Sequence, residues 1–365
     1  MKWLKMKRVW IPATTLITAV CLFLVWSYFF AVIPLPTIAR PYNADGLHNG
    51  FLQSDRFVLG ANYPWLNYGG DFGTNVWGHS GLSEPSNTAA LDQDFLWFEQ
   101  HNIRFVRWFL FCDGRAGLVF NPDGSVKGLD DYVFKDMDVA VAAAKKHNIM
   151  LMFVLLDFNM LDSASLQYGL KLGGHAALIR DPVLRQTFFE NALKPLLQRY
   201  GNNGAIVAWE VMNEPEWGTK VWGGGQMKES VALFRMKDFV RETAAYIHKH
   251  SAQAVTVGCA RRSWLFIWTD VGLDFYQYHY YPWMERHTDY NYPADRLHLN
   301  APCLIAEVPT DNPADFHRYM DQALANKYAG LMGWSYRATD KYSFLKNRGT
   351  EMDSWRMAHP LQFRP

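Results

Sequence analysis

The chain has 365 residues, of which 49% are apolar and 16% aromatic, enough for one large packed core and too apolar for an extended disordered protein. Thirty-six basic residues face 35 acidic ones, a formal charge of +1. So balanced a chain carries no basic field for a polyanion, which excludes nucleic acid as a partner and points to neutral or small ones.

In chain order, residues 1–8 carry Lys2, Lys5, Lys7 and Arg8, and Val9 to Pro34 then contains no charged side chain. As a helix rising about 1.5 Å per residue, that run is long enough to cross a hydrocarbon core of about 30 Å. A secretory signal has a shorter apolar stretch of about 7 to 15 residues and a small-x-small cleavage site. Ser27-Tyr28-Phe29-Phe30-Ala31-Val32 offers no such site, so residues 9–34 read as an uncleaved transmembrane signal-anchor. The basic residues ahead of it keep residues 1–8 in the cytoplasm. A single-pass protein of the cell membrane is therefore expected, with everything after Arg40 outside the cytoplasm. Residues 35–54, polar and marked by Pro41, Gly46 and Gly50, read as a linker, and residues 55–365 as the folded domain.

Within that domain, short runs rich in β-branched and aromatic residues alternate with longer segments of helical period, the pattern of repeated βα units. Strands are expected at Phe57 to Asn62, Ile103 to Trp108, Ile149 to Leu156, Ile206 to Met212, Ala254 to Gly258, Asp274 to His279, Cys303 to Ala306 and Gly330 to Trp334. Eight such strands close a (β/α)8 barrel. Helices are clearest at Asn87 to His101, Asp130 to His147, Asp181 to Tyr200 and Gln226 to His250, the third opening with an Asp-Pro start signal. A doubly wound open sheet is disfavoured because no Gly-rich phosphate turn follows the first strand. Cys112, Cys259 and Cys303 form an odd set without CxxC spacing, and Cys21 falls in the anchor; they read as core residues, with no disulfide framework or zinc site.

Chemistry enters at Trp209-Glu210-Val211-Met212-Asn213-Glu214-Pro215, an apolar strand ending in Asn-Glu-Pro where a barrel presents its active-site loops. Pro215 bars a helical conformation at Glu214 and is expected to hold it extended, while Asn213 can offer its amide to a sugar hydroxyl beside the reacting carbon. Three strands later, Cys303-Leu304-Ile305-Ala306-Glu307 ends in a second carboxylate. Strands four and seven face each other across a barrel mouth, and cleavage of a glycosidic bond needs such a pair. At a separation of about 5 to 5.5 Å, the second carboxylate acts as a nucleophile and configuration is retained.

With these residues the sequence resembles the clan A retaining glycoside hydrolases, in particular the family 5 cellulase and β-mannanase type, from Phe57 to about Trp334. The resemblance implies Glu214 as general acid/base and Glu307 as nucleophile in the double-displacement cleavage of a β-linked glycan, a β-mannan or β-glucan, without a cofactor. It further implies that Arg107 and Tyr281 brace Glu307, that His279 orients the catalytic network, and that Trp334 floors the subsite of the sugar being cleaved. Physically, a cation beside Glu307 favours its ionised form, whereas an acid must hold its proton and needs a raised pKa. The sequence departs from the family pattern at Leu156-Asp157-Phe158-Asn159, where many relatives place a histidine, and at Val308-Pro309, where a small residue is common. Those departures bear on subfamily and substrate.

Trp65, Trp77, Trp217, Trp222, Trp264, Trp268 and Trp283 lie near expected loops, where indole faces stack on sugar rings or fill the core. His79, His175, His287 and His298 show no metal-ligand spacing, so no metal is assigned, and no Gly-x-Ser-x-Gly elbow supports serine chemistry. The rival readings are a catalytically silent sugar-binding barrel, towards which Val308-Pro309 leans, and a transglycosylase that remodels a surface polysaccharide. Oligomeric state is not legible.

Overall fold

The computed structural model describes Leu52 and residues 56–74, 78–167, 169–285 and 289–360. The basic N-terminus, the apolar run 9–34, nearly all of the linker, Cys21, Trp77 and His287 lie outside the described residues. Among the described residues no helix is long and apolar enough to cross a membrane.

Eight parallel strands close on themselves. They are β1 (Val58–Asn62), β2 (Phe105–Phe109), β3 (Met150–Asp157), β4 (Ile206–Asn213), β5 (Ala254–Cys259), β6 (Tyr276–His279), β7 (Cys303–Pro309) and β8 (Gly330–Trp334). Each pairs with its sequence neighbours, and β8 returns to β1 with Val58 opposite Gly330. Every expected strand forms, shifted by at most two residues at its start and lengthened at several C-terminal ends. The longer ends matter, because Asp157, Asn213 and Glu307 sit there.

Alternation along each strand separates two cores. On β2, Phe105, Arg107 and Phe109 point inward while Val106 and Trp108 pack against the helices. Phe105, Met152, Ala208, Ala254, Leu304 and Met332 fill the lower barrel, and Arg107 stands on that apolar floor. Gly60 on β1 is required there, since a Cβ would lie 2.8 Å from the Phe105 carbonyl.

The helices are Pro85–Gln100, Val133–Lys146, Pro182–Phe188 running through a π turn at Phe189–Leu193 into Lys194–Tyr200, Leu233–His250, Pro313–Ala325 and Gly349–Ala358, with a short helix at Ala176–Arg180. Asp181 caps the third as its sequence suggests, accepting from Val183 N. The helix expected from Gln226 begins at Leu233 instead. Residues 226–230 are held by long-range bonds, Met227 N to the Trp217 carbonyl and Glu229 N to the Leu161 carbonyl, and Val231–Ala232 pairs with Thr219–Lys220. Two short hairpins, Leu118–Phe120 with Val126–Leu129 and Ser165–Gln167 with Leu170–Leu172, decorate the barrel mouth loops. Cys112, Cys259 and Cys303 are buried free thiols.

Candidate active site

At the centre of the barrel mouth lies Arg107, fully buried. A guanidinium has five N–H donors, and each finds an acceptor: Nε and Nη2 reach the two oxygens of Glu210 at 2.6 Å each, Nη1 reaches Glu307 Oε1 at 2.7 Å and Asn62 Oδ1 at 3.0 Å, and Nη2 also reaches Asn213 Oδ1 at 2.8 Å. Burial opposes the charge, and Glu210 and Glu307 more than restore it. Gln277 donates to Glu210 at 2.7 Å, so the Arg107–Glu210 pair forms a rigid base beneath the cleft.

Glu307 accepts from Arg107 on Oε1 and from the Tyr281 hydroxyl on Oε2 at 2.8 Å. Burial raises its pKa; His279, Arg107 and Tyr281 oppose that rise without reversing it. The sequence-based expectation weighed only the cation and missed the cost of burial.

Glu214 is not extended. Its φ of 45° and ψ of 50° lie in the left-handed region, sparsely populated by non-glycine residues. Pro215 does exclude the right-handed helix, and the chain turns the other way, held by a 2.6 Å bond from Glu214 N to the Gly258 carbonyl. The turn aims the carboxyl at His279 Nδ1, 2.8 Å from Oε1, and at the Trp217 indole, which donates to Oε2 at 2.7 Å. Burial pushes Glu214 up to about 7.

His279 touches both carboxylates, with Nδ1 2.8 Å from Glu214 and 3.4 Å from Glu307. Burial lowers its pKa to about 4, so the ring is neutral near pH 7, and two carboxylate neighbours assign its proton to Nδ1. One oxygen of Glu214, one of Glu307 and a ring nitrogen of His279 all lie within 4.8 Å of one another. Among the described residues these three would be the ligands offered to a metal ion; Arg107, Tyr281 and Trp217 already engage the two carboxylates.

A cleft of about 390 Å³ opens above this pair, lined by Trp65, Phe109, Asp157, Trp217, Trp283 and Trp334 among others. Trp334 donates its indole N–H to Asp340 at 2.9 Å and meets Trp65 edge to face. Trp264 packs edge to face on Trp217, with Arg261 over both rings. Trp268 is buried and binds Glu216, and Trp222 is exposed. His79 stacks on Tyr132 and pairs with Glu84 and Asp136, His175 stacks on Phe120, and neither lines the cleft; His298 sits outside the cleft lining in a left-handed turn. Val308 packs in the core between barrel and helices, so the feature that leaned towards a silent barrel does not face the cleft.

The structure thus gathers Arg107, Asn213, Glu214, His279, Tyr281 and Glu307 into one hydrogen-bonded group, with Trp334 on the cleft wall. Sequence reasoning overlooked Glu210 and Gly258, and it read Trp217 only as a cleft or core aromatic, not as a donor to Glu214. Glu210 was foreshadowed, since a buried Arg107 demands a carboxylate and an ionisable residue stands out in an apolar strand. A Cβ at Gly258 would collide with Glu210, a contact between strands that no local pattern reveals.

No family model matches the chain. A mannan endo-1,4-β-mannosidase of Mytilus edulis is 32% identical over 160 residues, 44% of this chain and 40% of that protein; the chain thus spans about two fifths of the length of that relative. Among solved structures, the β-mannanase of the blue mussel Mytilus edulis aligns with a TM-score of 0.68 at 22% identity, covering 83% of this chain and 92% of that one. The endo-1,4-β-mannanase of Eisenia fetida aligns at 0.69 and 23% identity, covering 82% and 91%. The barrel fold is established by these structural likenesses, and over the aligned 160 residues the chain is similar in sequence to the mussel mannosidase.

Proposed function

We propose that the chain is a retaining glycoside hydrolase that cleaves β-mannan through a glycosyl-enzyme intermediate. The observation that carries this reading is that an oxygen of Glu214 and an oxygen of Glu307 lie within 4.8 Å of one another, with His279 beside both, which favours the close pair of a retaining enzyme over the about 6.5–9.5 Å separation of an inverting one. Their surroundings support different roles. Arg107 and Tyr281 hold Glu307 by both oxygens, which stabilises the anion and aims it. Glu214, near 7, keeps a proton at neutral pH for the leaving oxygen.

In this reading Glu307 attacks the anomeric carbon as Glu214 protonates the departing oxygen; Glu214 then takes a proton from the water that releases the sugar. Asn213 offers an amide hydrogen to the ring being cleaved, and Trp334 stacks beneath it. The mannan preference rests on the curated mannosidase relative.

The uncharged run Val9 to Pro34 behind four basic residues supports a single-pass anchor with the barrel outside the cytoplasm, acting on a polysaccharide near the cell surface. Protease accessibility of the barrel on intact cells, with retention in the membrane fraction, tests this placement. The activity is tested by turnover of β-1,4-mannan beside Glu307→Ala and Glu214→Gln. Cleavage lost in both variants is expected; binding without cleavage by the unaltered chain overturns the reading.

A further inference from the structure

Asp157 occupies the end of β3. The register sets it directly beside Asn213 at the end of β4. It is buried to 7% exposure yet lines the cleft. Its Oδ1 accepts from the backbone N and the side-chain amide of Asn159, which fixes the carboxylate as the cap of the turn at Phe158–Leu161. Its Oδ2 accepts from Asn213 Nδ2 at 2.8 Å.

Asn213 is thereby held from two sides. An amide can turn over and exchange its oxygen and nitrogen, but here one end faces a group that only donates and the other a group that accepts. Arg107 Nη2 takes Oδ1 at 2.8 Å, and Asp157 takes one hydrogen of Nδ2. Without Asp157, Arg107 alone would define the amide, through one bond about which the plane can rotate. With it, the plane is set and the second amide hydrogen has a defined direction. Asn213 and Glu214 both line the cleft, so the amide sits next to the carboxyl that protonates the leaving oxygen in the reading above.

We propose that Asp157 is a positioning residue that, through Asn213, selects the sugar at the reacting ring by the hydroxyl on the carbon next to the anomeric carbon. The inference deepens the glycosidase reading above and rests on it. A β-mannoside and a β-glucoside differ at that hydroxyl alone, axial in one and equatorial in the other. A donor whose direction is fixed distinguishes them, whereas a donor free to rotate serves both.

The test uses the full chain in detergent and three substrates: 4-nitrophenyl β-mannotrioside, the same compound with glucose as the aryl-bearing ring, and the same compound lacking the 2-hydroxyl on that ring. Asp157→Ala is expected to lose about tenfold or more in kcat/KM on the manno compound, the scale of a hydrogen bond to a charged acceptor. It is expected to narrow the ratio of manno to gluco turnover, and to leave the deoxy compound within about twofold of the unaltered chain. Asp157→Asn, which can still cap the turn at residue 158 and accept one bond, should fall between the two on the manno compound alone. Equal losses on hydroxylated and deoxy substrates in both variants would mean a merely structural role and overturn the inference. Preference of the unaltered chain for the gluco compound would overturn the mannan reading alone, and Asp157 is then judged on the gluco and deoxy pair. Turnover of none of the three overturns both.

Discussion

Arg107 gives Glu307 a single hydrogen bond, Nη1 to Oε1 at 2.7 Å, while its other donors are committed to Glu210, Asn62 and Asn213. The guanidinium therefore sets the distance between the barrel's internal ion pair and the cleft carboxylate. Removing it leaves two buried carboxylates without their cation. Arg107→Ala should destabilise the barrel by about 3–5 kcal/mol, read by urea unfolding. Arg107→Lys keeps the charge but cannot form the fork on Glu210, so it should lose more activity than stability. Unchanged kcat in Arg107→Lys would contradict this role.

The two carboxylates predict a bell-shaped pH dependence of kcat/KM. Glu214 must be protonated, and burial places it at about 7, so activity should fall as pH rises through about 7. Glu307 must be ionised, and its pKa lies above the ordinary 4.5, so the acid limb should lie above that value. The Trp217 indole pulls Glu214 down. Trp217→Phe removes that bond and should move the basic limb upward, by on the order of one pH unit or less. A limb that moved downward would contradict Glu214 as its source.

Gly258 accepts the Glu214 backbone N–H at 2.6 Å, and its α-carbon faces the Glu210 carboxylate. Gly258→Ala should push Glu210 away from Arg107 and lower kcat by about tenfold or more, with a loss of stability of about 1–3 kcal/mol from overpacking. Steady-state kinetics and thermal unfolding together check it; Gly258→Ala with unaltered kinetics would show that the contact relaxes harmlessly.

The barrel was legible because its strands are continuous apolar runs, buried on both faces, and such runs stand out between amphipathic helices. Asn213, Glu214 and Glu307 were legible because they interrupt those runs at their C-terminal ends. What escaped depended on contacts between strands or on turns. Glu210 is explained by Arg107 and Gln277 across the barrel, and the hairpin strands, three or four residues long, are too short to show alternation. The left-handed turn at Glu214 needs Gly258 as its acceptor, and proline alone dictates only what is forbidden. The start at Leu233 was missed because residues 226–230 are tied to distant backbone groups that periodicity does not reveal.

Stability should also respond to pH. Asp71, Glu214 and Glu216 are buried and pushed up to about 7 from ordinary values of 3.8 to 4.5. Between those limits the folded state holds protons that the unfolded chain has lost, so stability is greatest at the low end and declines as pH rises towards about 7, then levels off. Urea midpoints measured from about pH 5 to 8 should fall with pH. A rising midpoint across that range would contradict the buried neutral carboxyls.

The central claim is that Glu307 becomes covalently bonded to the sugar. Its most direct test is to incubate the full chain with an activated 2-deoxy-2-fluoro-β-mannoside, which slows release of the glycosyl-enzyme, and to map the modified peptide by mass spectrometry. The account predicts one added fluorosugar, on the peptide carrying Glu307, and none in Glu307→Gln. An adduct on another carboxylate, or full inactivation without any adduct at Glu307, would contradict it.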